Sequence, residues 1–365
     1  MKFVTLFPEA ENIHLNKDVG MIPRIMSSQF KIKASLVCYN NGLYPNLKEK
    51  ISDFNIQFIK RYTSISTIDS VLFLLRESRK IDVLNLFHLR KRTLIFILVY
   101  KIINKHGKVY LKLDANRGIR NRKLECNNIK NLIRRYILKK CKLISVETSE
   151  LYEYLNKIKL IDVKLIPNGF YDESINPIKI KNKKNYILTV GRIGAKEKAN
   201  EIMVQAFIKV HRQIPDWKLK FVGSVSEKFK SYMNDVFEKY PEIEKKIEFT
   251  GPIYDRKKLN EEYMVSKIFC LTSIMEGFPM VFLEAIKNGC YIISSDLSAA
   301  KDITNNMEFG DIFQVNDSTE LSRLFLKICN DKLRLEKLIN RIQKFAYENF
   351  RWQDLCKKIK YYLDE

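Results

Sequence analysis

The sequence predicts an α/β chain made of two doubly wound domains in series, and three observations carry that expectation. Short apolar runs rich in Val, Ile, Leu and Phe alternate with helical periodicity from end to end, the pattern of parallel strands covered on both faces. The alternation breaks once, at a polar stretch over 170–185 that holds Pro177 and a Lys/Asn run, and then restarts. The chain has 365 residues, 46% of them hydrophobic, enough apolar material for two cores.

Taken in order, the first half offers strands at KFVTLF (2–7), KASLVCY (33–39), FNIQFI (54–59), DVLNLF (82–87), KVYLKLD (108–114), KLISVET (142–148) and VKLIPNG (163–169). Helical periodicity fills longer segments between them, for example 67–79, 91–105 and 128–140. Past the break come YILTVGR (186–192), KLKFVG (218–223), KIEFTG (246–251), KIFCLTS (267–273), YIISSD (291–296) and GDIFQV (310–315). Helices are expected near 199–212, 226–239, 256–266 and 279–288, and from 318 onward. Open α/β sheets bind ligands beyond the carboxyl ends of their strands, so the chemistry should sit just after these runs.

Charge is the informative part of the composition. The formal net charge is +23, and within 101–140 there are 13 basic residues against 2 acidic ones. Such a block calls for an anionic partner, nucleic acid or an acidic membrane surface, unless a lysine-rich coding bias merely decorates a solvated face. The seven cysteines are scattered without a CxxC pair, which argues for reduced thiols and against a zinc site or disulfide framework. No apolar run is long enough to span a bilayer, and the N-terminus lacks the pattern of a signal peptide. A cytoplasmic protein is expected.

Two segments carry chemistry. TSIMEGFPMVFLEAIKNG (272–289) runs from strand through turn to helix. Glu276, Gly277 and Phe278 form the turn, Pro279 suits the first helical position and Gly289 the stop. The amides of the first turn, from Gly277 through Met280, join the helix dipole in an anion site, and Gly277 permits close approach. Glu276 can accept hydrogen bonds from sugar hydroxyls. Glu284, flanked by Leu283 and Ala285, needs a partner that a ribose diol supplies, unless it is an ordinary surface glutamate. LTVGRIGAKEKANEIMVQAF (188–207) is the second strand–turn–helix. Gly191 allows approach, and Arg192 and Lys198 place two cations where a diphosphate fits; charge growing on a departing diphosphate would be stabilised there.

Together these segments resemble the retaining glycosyltransferases of family 4, whose fold is GT-B: two doubly wound Rossmann-like domains facing across a cleft. The resemblance rests on Val190–Gly191–Arg192 with Lys198, on Glu276 with Glu284, and on IPNG (166–169), FTG (249–251) and NGCYIISSD (288–296). It implies an acceptor-binding domain over 1–170, a linker over 171–185, a nucleotide-sugar-binding domain over 186–349, and a C-terminal helix over 350–365 crossing back to the first domain. It further implies Arg192, Lys198 and Glu276 as catalytic residues. Gly191, Gly277, Phe278, Pro279, Met280 and Glu284 would bind the donor, and the stretch from Thr250 to Tyr254 would approach the base. A nucleotide-diphosphate sugar, UDP more often than GDP, would be substrate, with no cofactor and no metal. The leaving phosphate would help deprotonate the acceptor hydroxyl.

In the first half the family often has a glycine-rich loop after the first strand, where this chain offers Gly20 flanked by Asp18. A His or His-Asp of many relatives is replaced near 112–118 by Lys112, Asp114 and Asn116; Asp114 either orients the acceptor or caps the turn. His14 and His88 follow strands and can reach the cleft, while His106 and His211 read as surface residues. Trp217 and Trp352 read as packing. The basic block then suggests attachment to the inner face of the cell membrane and a glycan or lipid-linked acceptor, in bacterial polysaccharide assembly. The competing readings are a GT-B sugar-nucleotide epimerase and a nucleic-acid-binding protein. The second lacks a recognition helix, aromatic platform or zinc finger, and no G-x-G-x-x-G follows a strand, which disfavours a dehydrogenase.

Overall fold

The computed structural model describes residues 1–44, 54–122, 126, 128–158, 161–175 and 177–365; part of the basic block, 123–125 and 127, lies outside them. The chain divides into two compact units, one of Met1–Tyr171 with Phe350–Glu365 and one of Asp172–Asn349.

The first unit runs β1 (Lys2–Leu6), α1 (Asp18–Phe30), β2 (Lys33–Cys38), β3 (Asn55–Phe58), α2 (Ser66–Glu77), β4 (Val83–Phe87), α3 (Lys91–Ile103), β5 (Lys108–Lys112), α4 (Ile129–Leu138), β6 (Leu143–Val146), α5 (Ser149–Lys157) and β7 (Lys164–Leu165). Its seven-stranded sheet has the order β3-β2-β1-β4-β5-β6-β7, all neighbours parallel. All five residues of β4 are buried, as a strand covered on both faces requires.

Helix α1 corrects, from Asp18 onward, the glycine-rich loop that the resemblance places after the first strand. Gly20 and Pro23 lower intrinsic helix propensity, yet the stripe of Met21, Ile22, Ile25 and Met26 is buried in one core. Burial of that face outweighs propensity. Gly20 and Asp18 therefore belong to a helix and not to a glycine-rich loop. A Cβ on Gly20 would stand 2.4 Å from the Leu15 Cα, so this glycine lets the preceding turn pack on the helix.

The same core takes in the C-terminal segment. Trp352, Leu355, Cys356, Ile359 and Leu363 are buried with Phe3, Ile22 and Tyr110. Phe170 and Arg351 form a bridge, and a Cβ on Gly169 would sit 2.7 Å from the Phe350 carbonyl oxygen.

The second unit runs β8 (Lys184–Val190), α6 (Asn200–Val210), β9 (Lys218–Val222), α7 (Glu227–Lys239), β10 (Ile247–Gly251), α8 (Arg256–Val265), β11 (Ser266–Leu271), α9 (Met280–Lys287), β12 (Tyr291–Ser295), α10 (Ala300–Ile303), β13 (Gly310–Phe313), α11 (Ser318–Cys329) and α12 (Lys332–Asn349). Helix α13 (Trp352–Asp364) closes the chain in the first unit. The second sheet is parallel, in the order β10-β9-β8-β11-β12-β13.

The stretch before β8 is anchored. Asp172 pairs with Lys287 at 2.8 Å. The buried Lys183 donates to the carbonyls of Tyr263, Ser266 and Asn288 at 3.2, 2.6 and 2.6 Å. His211, expected on the surface, is buried: its Nδ1 lies 2.9 Å from the Ile208 carbonyl and its ring packs on Phe207. The indole of Trp217 donates to the Cys329 carbonyl at 3.1 Å within the core.

Candidate active site

Ligand crevices of doubly wound sheets open where the strand order reverses. In the second unit that point lies between β8 and β11; in the first it lies between β1 and β4.

At the β8 end the chain turns through Gly191, whose φ of 153° suits only glycine. Its amide bonds to the Val222 carbonyl at 2.9 Å. The neighbouring strand end is equally tight, since a Cβ on Gly223 would lie 1.8 Å from the Gly191 oxygen. At the β11 end, Thr272 Oγ1 donates to the Lys198 carbonyl at 2.8 Å and the Ile274 amide to the Glu197 carbonyl at 2.8 Å. These bonds knit the two turns together.

The knitting places Lys198 Nζ 2.5 Å from Glu276 Oε1, with side chains 17% and 21% exposed. Ser273 Oγ donates to the same oxygen at 3.0 Å. A Cβ on Gly191 would meet only Lys198 Cε, at 3.8 Å. Gly191, Lys198 and Glu276 therefore share one small neighbourhood. Arg192 stands apart from that contact: its side chain is 73% exposed and pairs with Glu197 at 2.5 Å.

Helix α9 begins one residue later than expected. Met280 opens it and Pro279 is the cap residue, and no side chain caps the end. Pro279 has no N–H, so it cannot contribute an amide to an anion; Gly277, Phe278 and Met280 can. Phe278 is buried, and Ser298 Oγ donates to the Gly277 carbonyl at 3.3 Å. One turn into α9, Glu284 is already partnered. Tyr263 OH donates to Oε2 at 2.9 Å and Arg256 Nη1 to Oε1 at 3.2 Å. Burial pushes the Glu284 carboxyl above its usual range, against the pull of Tyr263 and Arg256. Tyr254, beyond β10, is 91% exposed.

The first unit gathers a second set at its strand ends. His88 and Asp114 both adopt left-handed backbone, φ 60° and 41°, conformations that His and Asp tolerate better than most. His88 Nδ1 lies 3.5 Å from Asp114 Oδ2. Phe7, at the end of β1, packs on both His14 and His88, with ring centroids 5.4 and 5.9 Å apart. His14 Nδ1 accepts from the Glu11 amide at 3.0 Å, and burial lowers its pKa.

Beneath this pair lies a network of which sequence reasoning named Asp18 and Lys112 but missed Glu147. Lys112, fully buried, bonds Glu147 Oε1 at 2.5 Å and reaches Asp18 Oδ2 at 3.6 Å. Glu147 in turn accepts from the amides of Asp114 at 3.1 Å and Ala115 at 3.2 Å, which holds the strained turn that presents Asp114. Burial pushes the Glu147 carboxyl up to about 7, against the attraction of Lys112. Burial also raises Asp18. For Lys112, burial is outweighed by the two carboxylates, which raise its pKa and keep it charged. Charged residues at the ends of KVYLK and LISV, where the strands are otherwise buried, were the available signal.

Two doubly wound parallel units, each with polar groups at its switch point, define the GT-B class of glycosyltransferase fold. Among solved structures, HepE from Anabaena in complex with UDP and glucose aligns with a TM-score of 0.73 at 14% identity, covering 100% of this chain and 99% of that one. Residues 170–348 match the family model for glycosyl transferases group 1, and that half of the chain belongs to this family. An uncharacterized glycosyltransferase of Haemophilus influenzae is 31% identical over 160 residues, 43% of each chain. A Campylobacter jejuni alpha-1,4-N-acetyl-D-galactosaminyltransferase, whose name specifies a PP-undecaprenol-linked substrate, is 25% identical over 60% of this chain and 61% of its own. The chain thus spans about half the length of these curated relatives.

Proposed function

We propose that this protein is a retaining, metal-independent glycosyltransferase. It would move a sugar from a nucleotide-diphosphate sugar to a glycan or lipid-linked acceptor at the inner face of a bacterial membrane, in polysaccharide or glycoconjugate assembly. The observation that carries the reading is the contact of Lys198 with Glu276 at the β8/β11 switch point, 78 positions apart in sequence. It joins a cation suited to a diphosphate oxygen to a carboxylate suited to sugar hydroxyls.

Lys198 and the uncapped amides at the start of α9 take the charge that grows on the departing diphosphate. Arg192, long and exposed, closes on the same phosphates. Glu276, held by Lys198 and Ser273 through Oε1, turns to the sugar hydroxyls as the diphosphate draws Lys198 away. Glu284 takes the ribose hydroxyls with the lone pairs that Tyr263 and Arg256 leave. The sugar C1–phosphate bond breaks as the C1–acceptor oxygen bond forms on the same face, and the acceptor proton passes to the departing phosphate oxygen. His88 and Asp114 orient the acceptor. UDP as the nucleotide carrier is supported by its presence in the Anabaena structure, and a lipid-linked acceptor by the Campylobacter relative's name.

A thermal-shift screen of UDP-, GDP- and ADP-sugars tests the reading, because a ligand that binds only the folded chain raises its melting temperature. One nucleotide class should stabilise the wild type and fail with Glu284→Gln. If no nucleotide sugar stabilises the chain, the proposal is overturned.

A further inference from the structure

A surface helix normally turns its apolar residues toward the core, but α4 also carries a set facing outward. Ile129, Leu132, Ile133 and Tyr136 follow the i, i+3, i+4, i+7 spacing of one helix face. They are 74%, 50%, 55% and 62% exposed. The opposite face serves the unit's own core: Ile137 and Leu138 are buried within it, and Asn131 is buried beside them, its Oδ1 accepting from Arg134 at 2.8 Å. The outward ridge is thus surplus to the fold.

Basic side chains border this ridge. Lys130, Arg135, Lys139 and Lys140 belong to the helix or follow it directly, and no acidic residue occurs between Cys126 and Val146. Lys140 Nζ sits 4.3 Å from the Tyr136 ring centroid, lying along the ridge with its charge at the edge, as amphipathic side chains do at an interface. The apolar character continues onto adjoining helices. α3 packs on α4 and α2 on α3, and these carry exposed Ile95 and Ile102, and Ile68 and Leu75.

We propose that α4 lays the ridge of Ile129, Leu132, Ile133 and Tyr136 into the interfacial layer of an anionic lipid bilayer, with the lysine rim at the headgroups. An apolar face with cationic borders is the pattern of a helix lying in the membrane plane, and the charge complements anionic lipid. A second copy of the chain is a poorer occupant, because two like-charged rims would oppose each other. Nucleic acid is poorer still: backbone binding needs the cations but leaves an aliphatic ridge in water. The membrane location in the proposed function rested on net charge; this assigns it an element. The inference stands on the surface alone and is tested without donor or acceptor, so its failure would leave the transfer reading intact, and the reverse also holds.

The experiment is co-sedimentation of the full chain with vesicles of phosphatidylcholine alone or mixed with phosphatidylglycerol. Binding is expected only to the anionic vesicles. Leu132→Ser/Ile133→Ser should lower it by about tenfold or more with unchanged circular dichroism and melting temperature. Lys139→Gln/Lys140→Gln should lower it and flatten its salt dependence. Equal binding by the serine variant and the wild type would overturn the proposal. So would a dimer in sedimentation velocity that the serine variant abolishes, or salt-sensitive binding to RNA with none to vesicles.

Discussion

Replacing Lys198 by alanine removes one charge from a contact whose geometry sets two different magnitudes. The pair is 2.5 Å long, and its side chains are 17% and 21% exposed. Water thus still reaches both groups, and the cost to the fold is that of a partly screened ion pair, about 1 kcal/mol. In a unit of this size that lowers the melting temperature by roughly 2–4 °C. The cost to the proposed transfer is larger, because the cation acts where charge develops. Loss of one such stabilising group costs about 3–4 kcal/mol, or roughly two to three orders of magnitude in turnover. Glu276→Ala should behave alike, with its loss shared between kcat and KM because it also holds the ground-state sugar. The assay is release of nucleoside diphosphate from whichever donor stabilises the chain, read beside a thermal melt. The double variant should be little worse than either single one, since the two residues act as a unit. Turnover within about threefold of wild type in Lys198→Ala, with the melt shifted as stated, would refute the catalytic role and leave the contact as a structural clasp.

Glu284 should show opposite pH trends in binding and stability. Its folded pKa is raised by burial, so the native state holds a proton that the unfolded chain gives up, and this group adds stability as pH falls below the raised value. The same protonation removes acceptor lone pairs, so nucleotide affinity should fall over the same window. Calorimetry and melts across the mildly acidic range should show both trends in the wild type and neither in Glu284→Gln; parallel trends would sink the idea. Separately, Gly20→Ala should destabilise the first unit by about 1–3 kcal/mol, because the new Cβ would meet Leu15 backbone at 2.4–2.7 Å. An unchanged denaturant midpoint would mean that α1 and the turn before it can part.

What was legible in the sequence was what short stretches encode. The strand–turn–helix segments at 188–207 and 272–289 announced both halves of the second unit's switch point, because glycine turns and helix starts leave local marks. The helix α1 was not legible. Gly20 and Pro23 are locally unfavourable to a helix, and only packing against the sheet and α13 makes them acceptable. The partners of Glu284 were hidden for the same reason: Tyr263 and Arg256 lie on the preceding helix, 21 and 28 positions away. Lys112 and Glu147, 35 apart, meet only because β5 and β6 are neighbours. Each alone looks like a charge misplaced beside an apolar strand.

The two switch points manage charge in opposite ways, and the contrast bears on how each could work. In the second unit, Lys198 and Glu276 neutralise each other where water still reaches them. A diphosphate arriving there would have to outbid one carboxylate for the lysine without stripping a buried ion from its partner, and Glu276 would then be available to the proposed sugar. The site is stored in a neutral form that its proposed donor opens. In the first unit, Lys112 is fully buried against two carboxylates, and parting them would leave an uncompensated interior charge, typically costing about 3–5 kcal/mol. A ligand there gains nothing by breaking that network, so its role is to hold. Glu147 fixes the amides of Asp114 and Ala115, and through them the turn that sets Asp114 beside His88. On this reasoning the ion pair of the second unit would exchange partners during the proposed transfer, while the triad of the first unit would stay closed.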